Sequence, residues 1–580
     1  MNWIYIFKAL SWSATPEKSW TMEELLLRIP ELGKNIFSQL DNKSLTDCKK
    51  VSKAWNNFIS DQKFPYIRII QKHVTNFDEN WKKVVTNTSA DMVKKLATAV
   101  EIFFIPDPKR IPELKNRELD EFHPLHIVAE SGSRALFKYI IEKNGNKNVP
   151  SKEGWTPLHY AAITGNLKKF KMVDANEINP KSISGFTPLH FAAHYGILKI
   201  AKLIVENVGD KNPANKSGLT PLFVAAIHGH FDICKLIVEN VDNKNPAYNN
   251  GFTPFHVAAK HGHLHICKLI ADNLDNKNPA TNDGITPLYI AAMYGHFAIC
   301  KMIVESVDDK NPADDSGFTP LYIASQNGYF DICKLIVKNV DNKNPKNNNS
   351  FTPLCAAADR GHLNICKLII DNLEDKNPAN KDGITPLYWA AHKGHFDVCK
   401  LIIENVDDKN PADKNGFTPL YAASEKGLFD ICKLIIENVD NKNPTNKKGF
   451  TPFYMAADRG HFNICKLIID NLDDKNPADK NGFTPLYQAA DKGHFDICKL
   501  IIENVSDKNP ACHTGDTPLH KAAKNGHLEI CELIIQNIDI KNPANKMGYT
   551  PFTFAGFAIK LQLIRFIFKQ YVYQKVSLIF

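Results

Sequence analysis

The chain has 580 residues, and its formal net charge of +8 comes mainly from its two ends. Residues 1–120 hold 19 basic and 15 acidic side chains, and residues 556–580 hold four basic and no acidic ones, which leaves the long middle part electrically balanced. A nucleic-acid-binding array should carry a basic face along its working surface, so a nucleic-acid partner is not expected. No window approaches 18 uncharged apolar residues, so no transmembrane helix is expected either.

Residues 1–21 form an N-terminal extension without an interpretable pattern. Its opening run, Met1-Asn-Trp-Ile-Tyr-Ile-Phe7, is apolar but brief, and no basic residue precedes it. A signal peptide is therefore not expected.

Residues 22–65 differ in composition from the rest and contain a spaced set of apolar side chains. Ile-Phe and Leu come first, a second Leu opens the next group, and Val-Ser-x-x-Trp follows. This pattern resembles an F-box, a three-helix domain. The resemblance implies docking on the Skp adaptor of a cullin–RING ubiquitin ligase, through Ile36, Phe37, Leu40, Leu45, Val51 and Trp55.

The opening of this domain departs from the family pattern. The family begins with Leu-Pro-x-Glu-Leu-Leu, whereas Leu-Pro is missing here and several residues intervene before Ile36. By the same resemblance, Leu25, Leu26 and Ile29 would also contact the adaptor. The alternative is an ordinary small helical domain whose apolar residues pack together.

Residues 66–120 are predicted to be a helical linker. Residues 91–100 carry apolar side chains at spacings of three and four, which is typical of an amphipathic helix. Pro106, Pro108 and Pro112 then break the chain and mark the boundary of the next domain.

A period of 33 residues dominates the chain from residue 121 to 555. Thr-Pro pairs place a proline at positions 188, 221, 254, 287, 320, 353, 386, 419, 452, 485, 518 and 551. Self-similarity at this period indicates stacked supersecondary units. With Gly-x-Thr-Pro-Leu-(His/Tyr)-x-Ala-Ala-x-x-Gly-His in most units, the unit resembles an ankyrin repeat, which implies a helical solenoid with hairpin loops.

The residues of one repeat predict the same two helices. Thr385 caps a first helix whose first residue is Pro386, and Gly394 ends that helix in the left-handed conformation. A second helix follows with an apolar stripe of Val398, Leu401, Ile402 and Ile403. Ankyrin repeats usually end this helix on Gly-Ala. Here we expect Asn405 to take the left-handed turn instead.

Ten of the thirteen cysteines recur every 33 residues, from Cys234 to Cys531. Equivalent atoms on stacked helices lie about 8–10 Å apart, which is too far for a disulfide or a shared zinc ion. They are therefore predicted to be free thiols of the core. Many buried thiols favour a reducing compartment, so we expect the chain in the cytoplasm, with the nucleus also open.

Residues 556–580 keep the register of the array. Leu563 to Phe568 fall on the positions of the second helix, so this segment is predicted to be the last helix of a modified capping repeat. Its exposed apolar residues either cover the end of the array or bind a partner or a membrane surface. We expect capping and no membrane association.

No catalytic motif is found, and neither an enzyme activity, a metal nor a cofactor is expected. The recurrent Gly-His belongs to the repeat and is predicted to bond backbone groups. A binding surface is better supported, because the residue after each leading glycine is apolar in almost every repeat and faces the concave side of ankyrin-like stacks. The residues we expect to bind a client protein, here called the junction stripe, are Phe252, Ile285, Phe318, Phe351, Ile384, Phe417, Phe450 and Phe483. The alternative is that these residues pack against the neighbouring hairpin, and both can hold.

The sequence therefore predicts an all-α chain: an ankyrin-repeat solenoid preceded by a small three-helix F-box domain and a helical linker. The expected function is that of a substrate receptor of an SCF-type ubiquitin ligase, with the Skp adaptor and cullin bound at the F-box and a client protein bound at the repeats. The alternative is an ankyrin scaffold or adaptor protein outside the ubiquitin pathway.

Overall fold

The computed structural model describes residues 124–130, 134, 137–138, 141, 147–173 and 177–577. Within these ranges the regular elements are helices, with no strand. The all-α prediction with repeated helical hairpins is confirmed. The predicted N-terminal extension, F-box-like domain and linker lie outside the described residues.

The chain divides into two compact units, residues 1–248 and 249–580. The described helices of the first unit are α1 Pro124–Glu130, α2 Pro157–Ile163, α3 Leu167–Met172, α4 Pro188–Tyr195, α5 Leu198–Asn207, α6 Pro221–His228 and α7 Phe231–Val238. Those of the second unit are α8 Pro254–Lys260, α9 Leu264–Ala271, α10 Pro287–Tyr294, α11 Phe297–Val304, α12 Pro320–Asn327, α13 Phe330–Asn339, α14 Pro353–Arg360, α15 Leu363–Ile370, α16 Pro386–Lys393, α17 Phe396–Ile403, α18 Pro419–Lys426, α19 Phe429–Ile436, α20 Pro452–Arg459, α21 Phe462–Ile469, α22 Pro485–Lys492, α23 Phe495–Asn504, α24 Pro518–Asn525, α25 Leu528–Gln536, α26 Pro551–Phe554 and α27 Phe557–Ser577.

The first helix of the central repeat begins and ends as predicted. In α16, Pro386 is the first residue and the Thr385 hydroxyl accepts a hydrogen bond from the Tyr388 amide at 3.3 Å. This bond satisfies one of the amides that an α-helix leaves unpaired at its start. Gly394 ends the helix with φ of 86°, a conformation that costs glycine little and other residues more.

The second helix ends differently from the prediction. Within the described residues only Asn250 and Ser350 have a positive φ without being glycine, so Asn405 is not left-handed, and that prediction is wrong. Instead the Asn405 side-chain amide donates to the Leu401 carbonyl at 2.8 Å. A carboxamide that bonds a free carbonyl of the last turn replaces the backbone bond that a left-handed residue would allow.

The Lys-Asn-Pro loops cap two helices at once. Lys442 donates to the Ile436 carbonyl at the end of α19 at 2.8 Å, where a cation also suits the negative end of the helix dipole. The next residue, Asn443, accepts through its side-chain oxygen from the Phe453 amide at 2.9 Å, near the start of α20. Since α20 belongs to the next repeat, each loop ties a second helix to the following first helix.

Successive hairpin turns also bond one another along the array. Asp413 accepts through its side chain from the Asn415 and Phe417 amides, both at 2.8 Å, and so closes the turn. The Lys414 amide donates to the Asp382 carbonyl of the preceding turn at 2.8 Å. A Cβ on Gly416 would lie 2.7 Å from the Asn446 Cα, so this close approach of successive turns requires glycine.

The core of each unit lies between the helices of neighbouring repeats. Within each unit, first helices pack on first helices and second helices on second helices. In the central repeat Leu387, Ala390, Ala391 and Ile402 are completely buried, whereas Leu401 of the predicted apolar stripe is only half-buried. A pair of helices this short cannot bury these side chains alone, so each repeat depends on its neighbours.

The repeated cysteines belong to this core. All ten are completely buried and free, as predicted. Burial raises the pKa of Cys399 to about 12, because an ionised sulfur would lose its hydration. These thiols are therefore protonated and unreactive at neutral pH.

One repeat near the N-terminus is irregular. It is two residues shorter than the others, and its second helix, α3, has only six residues. Lys169 is completely buried in α3 and donates to the Ala129 carbonyl at 2.9 Å. Burial lowers the pKa of Lys169 to about 8. This lysine lies where regular repeats carry a buried isoleucine, such as Ile233.

The C-terminal segment forms the long helix α27, which packs against α25. Leu563 is completely buried, whereas Phe557 is 84% and Phe568 is 69% exposed. No helix among the described residues is both long and apolar enough to span a membrane. Whether α27 caps the array or binds a partner stays a prediction.

We predict that replacing the loop asparagine weakens the junction between two repeats. Asn443→Ala removes the acceptor of the Phe453 amide and should cost about 1 kcal/mol, or about a fivefold faster hydrogen exchange at that amide. Native-state hydrogen exchange measures this directly. Asn415→Ala, in an exposed turn position, is the control and should leave the exchange rate unchanged. Equal effects of the two substitutions would contradict the capping role.

Candidate protein-interaction surface

The eight junction-stripe residues share one backbone setting. Each lies between the hairpin turn and the threonine that caps the next first helix, and each is half-buried. The Phe417 amide donates to the Asp413 side chain, and the Phe417 carbonyl accepts from the Asp413 amide, both at 2.8 Å. The turn therefore fixes the backbone of each stripe residue, while part of each side chain stays accessible to a partner.

The aromatic members of the stripe pack on the first helix of their own repeat. The rings of Phe318, Phe417, Phe450 and Phe483 lie 4.7 to 4.9 Å from the ring of the tyrosine four residues later, measured between centroids. Such offset and edge contacts add to simple apolar burial. The stripe thus has a structural role in its own repeat. Its role in client binding stays a prediction.

The third residue of the first helix is histidine in some repeats and tyrosine in others. Where it is histidine, it links two repeats. The His256 Nδ1 accepts from the Thr253 amide at 3.2 Å, and its Nε2 donates to the carbonyl of the stripe residue Ile285 at 3.1 Å. The same pair of bonds is made by His159, His190 and His520.

These histidines are neutral. Burial lowers the pKa of His256 to about 4, an effect only partly offset by its backbone hydrogen bonds. In most of the other repeats tyrosine occupies this position, and burial raises the pKa of Tyr289 and of Tyr322 to about 12. The stripe is therefore lined by neutral groups at pH 7 in both versions.

The histidine of the Gly-His pair makes a second link between repeats. The His395 Nε2 donates to the Asp359 carbonyl of the preceding first helix at 3.0 Å. The predicted role, bonding a backbone group, is confirmed there and at His230, His296, His362, His461, His494 and His527. Across the described ranges, no group of three potential metal ligands comes together.

Charged and amide groups at the ends of the first helices join neighbouring repeats. The Tyr454 hydroxyl donates to the Gln488 side-chain oxygen at 3.0 Å, and the Gln488 amide donates to Asp458 at 2.7 Å. Arg459 donates to Glu425 at 3.2 Å. Exposed ion pairs of this kind contribute little to stability, so these groups are better placed to orient a partner than to hold the fold.

One aromatic cluster was missed by the sequence analysis. Trp389 and His392 of α16 are half-buried, and the Trp389 Nε1 and the His392 Nδ1 are shielded from solvent without a hydrogen-bond partner. The Trp389 ring lies 6.3 Å from the stripe residue Phe351 and 6.3 Å from His392. The sequence signal for this cluster is a tryptophan at a position that holds Ile, Ala, Met or Gln in neighbouring repeats.

We predict that acid weakens the repeats that contain the buried histidine. The folded-state pKa of His256, about 4, lies below its ordinary value of 6.5, so the unfolded chain binds more protons between these values. This contribution to stability is complete above pH 6.5 and is lost as the pH falls toward 4, by about 3 kcal/mol.

His256→Tyr, which copies the other repeats, should flatten this dependence in urea unfolding curves recorded from pH 7 to pH 4. His513→Tyr is the control, since His513 is exposed and supports no buried bond. A His256→Tyr variant with the unaltered pH dependence would refute the assignment.

The predicted adaptor-contacting residues Leu25, Leu26, Ile29, Ile36, Phe37, Leu40, Leu45, Val51 and Trp55 lie outside the described residues. An F-box domain family model matches residues 26–66, which include all of them except Leu25. Their contacts with an adaptor stay predictions.

The family model for ankyrin repeats matches residues 84–181, 171–247, 236–314, 307–380, 354–444, 430–512 and 504–576. A stretch of 48 residues is 40% identical to ankyrin repeat protein FPV223 of fowlpox virus (strain NVSL). This stretch is 8% of the chain and 34% of the viral protein, so the chain spans about a third of that relative. F-box domains and ankyrin repeats are both non-catalytic modules of protein interaction. The chain belongs to the ankyrin repeat proteins and carries an F-box domain before its repeats.

Proposed function

We propose that this protein is a substrate receptor of an SCF-type ubiquitin ligase. The observation that carries the proposal is the presence of two different interaction modules in one chain, an F-box domain at residues 26–66 and an ankyrin array after it. The F-box would bind the Skp adaptor, and through it the cullin, while the repeats hold the client protein. An F-box in the same chain as a recognition array favours a ligase receptor over a scaffold that recruits no ligase.

The protein would act by proximity rather than by chemistry of its own. Tethering the client to the ligase raises the local concentration of the client at the ubiquitin-transfer site, as any linked pair of binding modules does. The receptor then needs no catalytic group, and we propose that it is not an enzyme. The fully buried, protonated thiols of the array suit a reducing compartment, so we place its action in the cytoplasm or nucleus.

The client would lie along the junction stripe of the second unit. Each repeat there offers one half-exposed apolar side chain on a backbone fixed by its hairpin turn. A rigid backbone lowers the entropy lost on binding, and aromatic side chains in such positions are typical binding hot spots. Charged side chains at the ends of the first helices, such as Asp458 and Arg459, would form the polar rim.

The alternative is an ankyrin scaffold that binds its partners without a ligase. The departure of residues 22–30 from the F-box opening favours it, because Leu-Pro is missing there. The two functions differ in one measurable property, the presence of cullin in the complex.

We predict that the adaptor is lost when the F-box contacts are removed. The triple variant Ile36→Ala, Phe37→Ala and Trp55→Ala should reduce co-purification of the Skp adaptor and cullin by at least about tenfold, as expected for several hot-spot side chains. Quantitative immunoprecipitation of the full chain measures this. Adaptor capture that persists in the triple variant would refute the docking assignment, and absence of cullin from the unaltered protein would favour the scaffold.

The client should depend on the junction stripe and not on the F-box. Proximity labelling with the full chain and with a deletion of residues 1–65 separates ligase components, lost on deletion, from clients, which are retained. Phe417→Ala with Phe450→Ala should then weaken the retained partners by about tenfold.

The matched control for this experiment is Phe396→Ala with Phe429→Ala. These rings begin the second helices α17 and α19 and are 39% and 38% exposed, so the control removes the same kind of side chain from second helices in this part of the array. Equal losses from both pairs would argue against the junction stripe as the client site. Native hydrogen exchange of Tyr421 and Tyr454 would check that the first pair still folds.

A further inference from the structure

The repeat of α16 and α17 differs from the two adjoining repeats in features that lie close together. Its third helical residue, Tyr388, is half-buried, as Tyr322 is, whereas Cys355 and Tyr421 are buried at the same position in the adjoining repeats. The following residue is Trp389, the bulkiest side chain found there. These differences leave an aromatic surface on α16 in the middle of the junction stripe.

The rings of this cluster form a corner. Tyr388 and His392 lie parallel, with an angle of 7° between their planes and 6.2 Å between their centroids. Trp389 stands at 90° to Tyr388 and at 88° to His392. Flat walls at right angles suit a flat group, and Phe351 of the stripe adjoins the corner on the Trp389 side.

Two nitrogens of the corner lack the bonds that buried polar groups normally make. The Trp389 Nε1 and the His392 Nδ1 are shielded from solvent and have no hydrogen-bond partner. A buried polar group without a partner destabilises the fold, so such groups are usually avoided. Because no water reaches either nitrogen, a partner that bonds them has no water to displace from the protein. Both rings are half-exposed, so a side-chain rotation can present the nitrogens to that partner.

The charge states of these groups define the chemistry that fits. Burial, with smaller effects from Lys426 and Lys393, lowers the pKa of His392, so the ring is neutral at pH 7. The Trp389 nitrogen can only donate, and the His392 Nδ1 accepts when the proton is on Nε2. One donor and one acceptor on adjoining rings are complementary to an amide, which offers a carbonyl oxygen and an N–H in one plane. A carboxylate has no proton for the histidine, and an ammonium has no acceptor for the indole.

The junction with the next repeat also lacks a common restraint. At seven other repeats the Gly-His histidine bonds the carbonyl at the position equivalent to residue 392, but Leu428 replaces this histidine here. At Tyr329, where the histidine is also replaced, the Asn327 side chain bonds the Met293 carbonyl instead at 2.9 Å. The segment that carries His392 is therefore held by one cross-repeat bond fewer.

We propose that this corner is the specificity site of the array and that it binds an asparagine or glutamine side chain in an extended segment of the client. The carboxamide oxygen accepts from the Trp389 Nε1, its N–H donates to the His392 Nδ1, and the stripe residues hold the flanking apolar side chains. The inference rests on the proposed function only in so far as the partner of the array is a protein.

The test uses the full chain and a set of eight-residue peptides that differ only at one central residue. That residue is glutamine, asparagine, glutamate, lysine or leucine, with apolar β-branched residues on both sides. We expect the two carboxamide peptides to bind about three- to tenfold more tightly than the other three, the value of one or two neutral hydrogen bonds. No preference for carboxamide over leucine and glutamate overturns the proposal.

Two variants assign the preference to the corner. Trp389→Phe keeps an aromatic ring but removes the donor, and His392→Phe removes the acceptor, so each should abolish the carboxamide preference. Trp155→Phe in the first unit is the matched control and should keep it. If the preference for carboxamide peptides survives both corner substitutions, the proposal is overturned, because the preference then comes from another part of the protein.

A spectroscopic measurement on the Trp389 indole distinguishes loss of the proposed hydrogen bond from a general loss of packing. Addition of the glutamine peptide should move the Trp389 indole proton signal downfield, with the signal assigned by its absence in Trp389→Phe. An indole signal that does not move when the peptide binds contradicts the proposed hydrogen bond. Capture of the Skp adaptor by the same preparations is scored separately. If the adaptor is not captured while the carboxamide preference is intact, the ligase role is contradicted and the assignment of the corner stands.

Discussion

The side chains of each Lys-Asn-Pro loop decide how one repeat joins the next. Lys442 bonds the end of one second helix, and Asn443 bonds the start of the following first helix. Both helix ends would otherwise carry unsatisfied backbone groups, which is costly next to a buried core. Capping and stacking are thus the same event, and a repeat cannot be properly capped unless its neighbour is in place. This accounts for a loop that is repeated almost unchanged along the array.

A surface with a regular spacing follows from this junction. Because most hairpin turns are closed by an Asn or Asp side chain and most bond the turn before them, one stripe residue per repeat lies in the same backbone setting and is half-buried. The array can then vary its chemistry at a few positions without disturbing the fold. Histidine and tyrosine exchange at the third residue of the first helix, and the next residue ranges from alanine to tryptophan. The variable side chains therefore lie on the first helices, while both helices of each repeat contribute to the core.

The corner at Trp389 shows how such variation produces a site. The position of this indole holds smaller residues in the neighbouring repeats, Tyr388 beside it is half-exposed, and a donor and an acceptor on adjoining rings lack partners. Natural interiors hold few such groups, and each one calls for an explanation. The same repeat loses one cross-repeat histidine bond at Leu428, so a less restrained junction and unsatisfied polar atoms lie together. Stability is given up where binding is gained.

The sequence by itself determined the period, the two helices of each repeat, the Thr-Pro start, the glycine end and the buried thiols, because these follow from local conformational preference and from the spacing of apolar residues. It also identified the junction stripe by position. Only the tertiary structure decided the end of the second helix, where Asn405 bonds Leu401 instead of turning left-handed, because the loop is held by contacts with the next repeat. The same holds for the partners of Asn443 and for the corner at Trp389. Residues 33 positions apart become neighbours only after stacking, and no local pattern states which polar atoms remain unpaired.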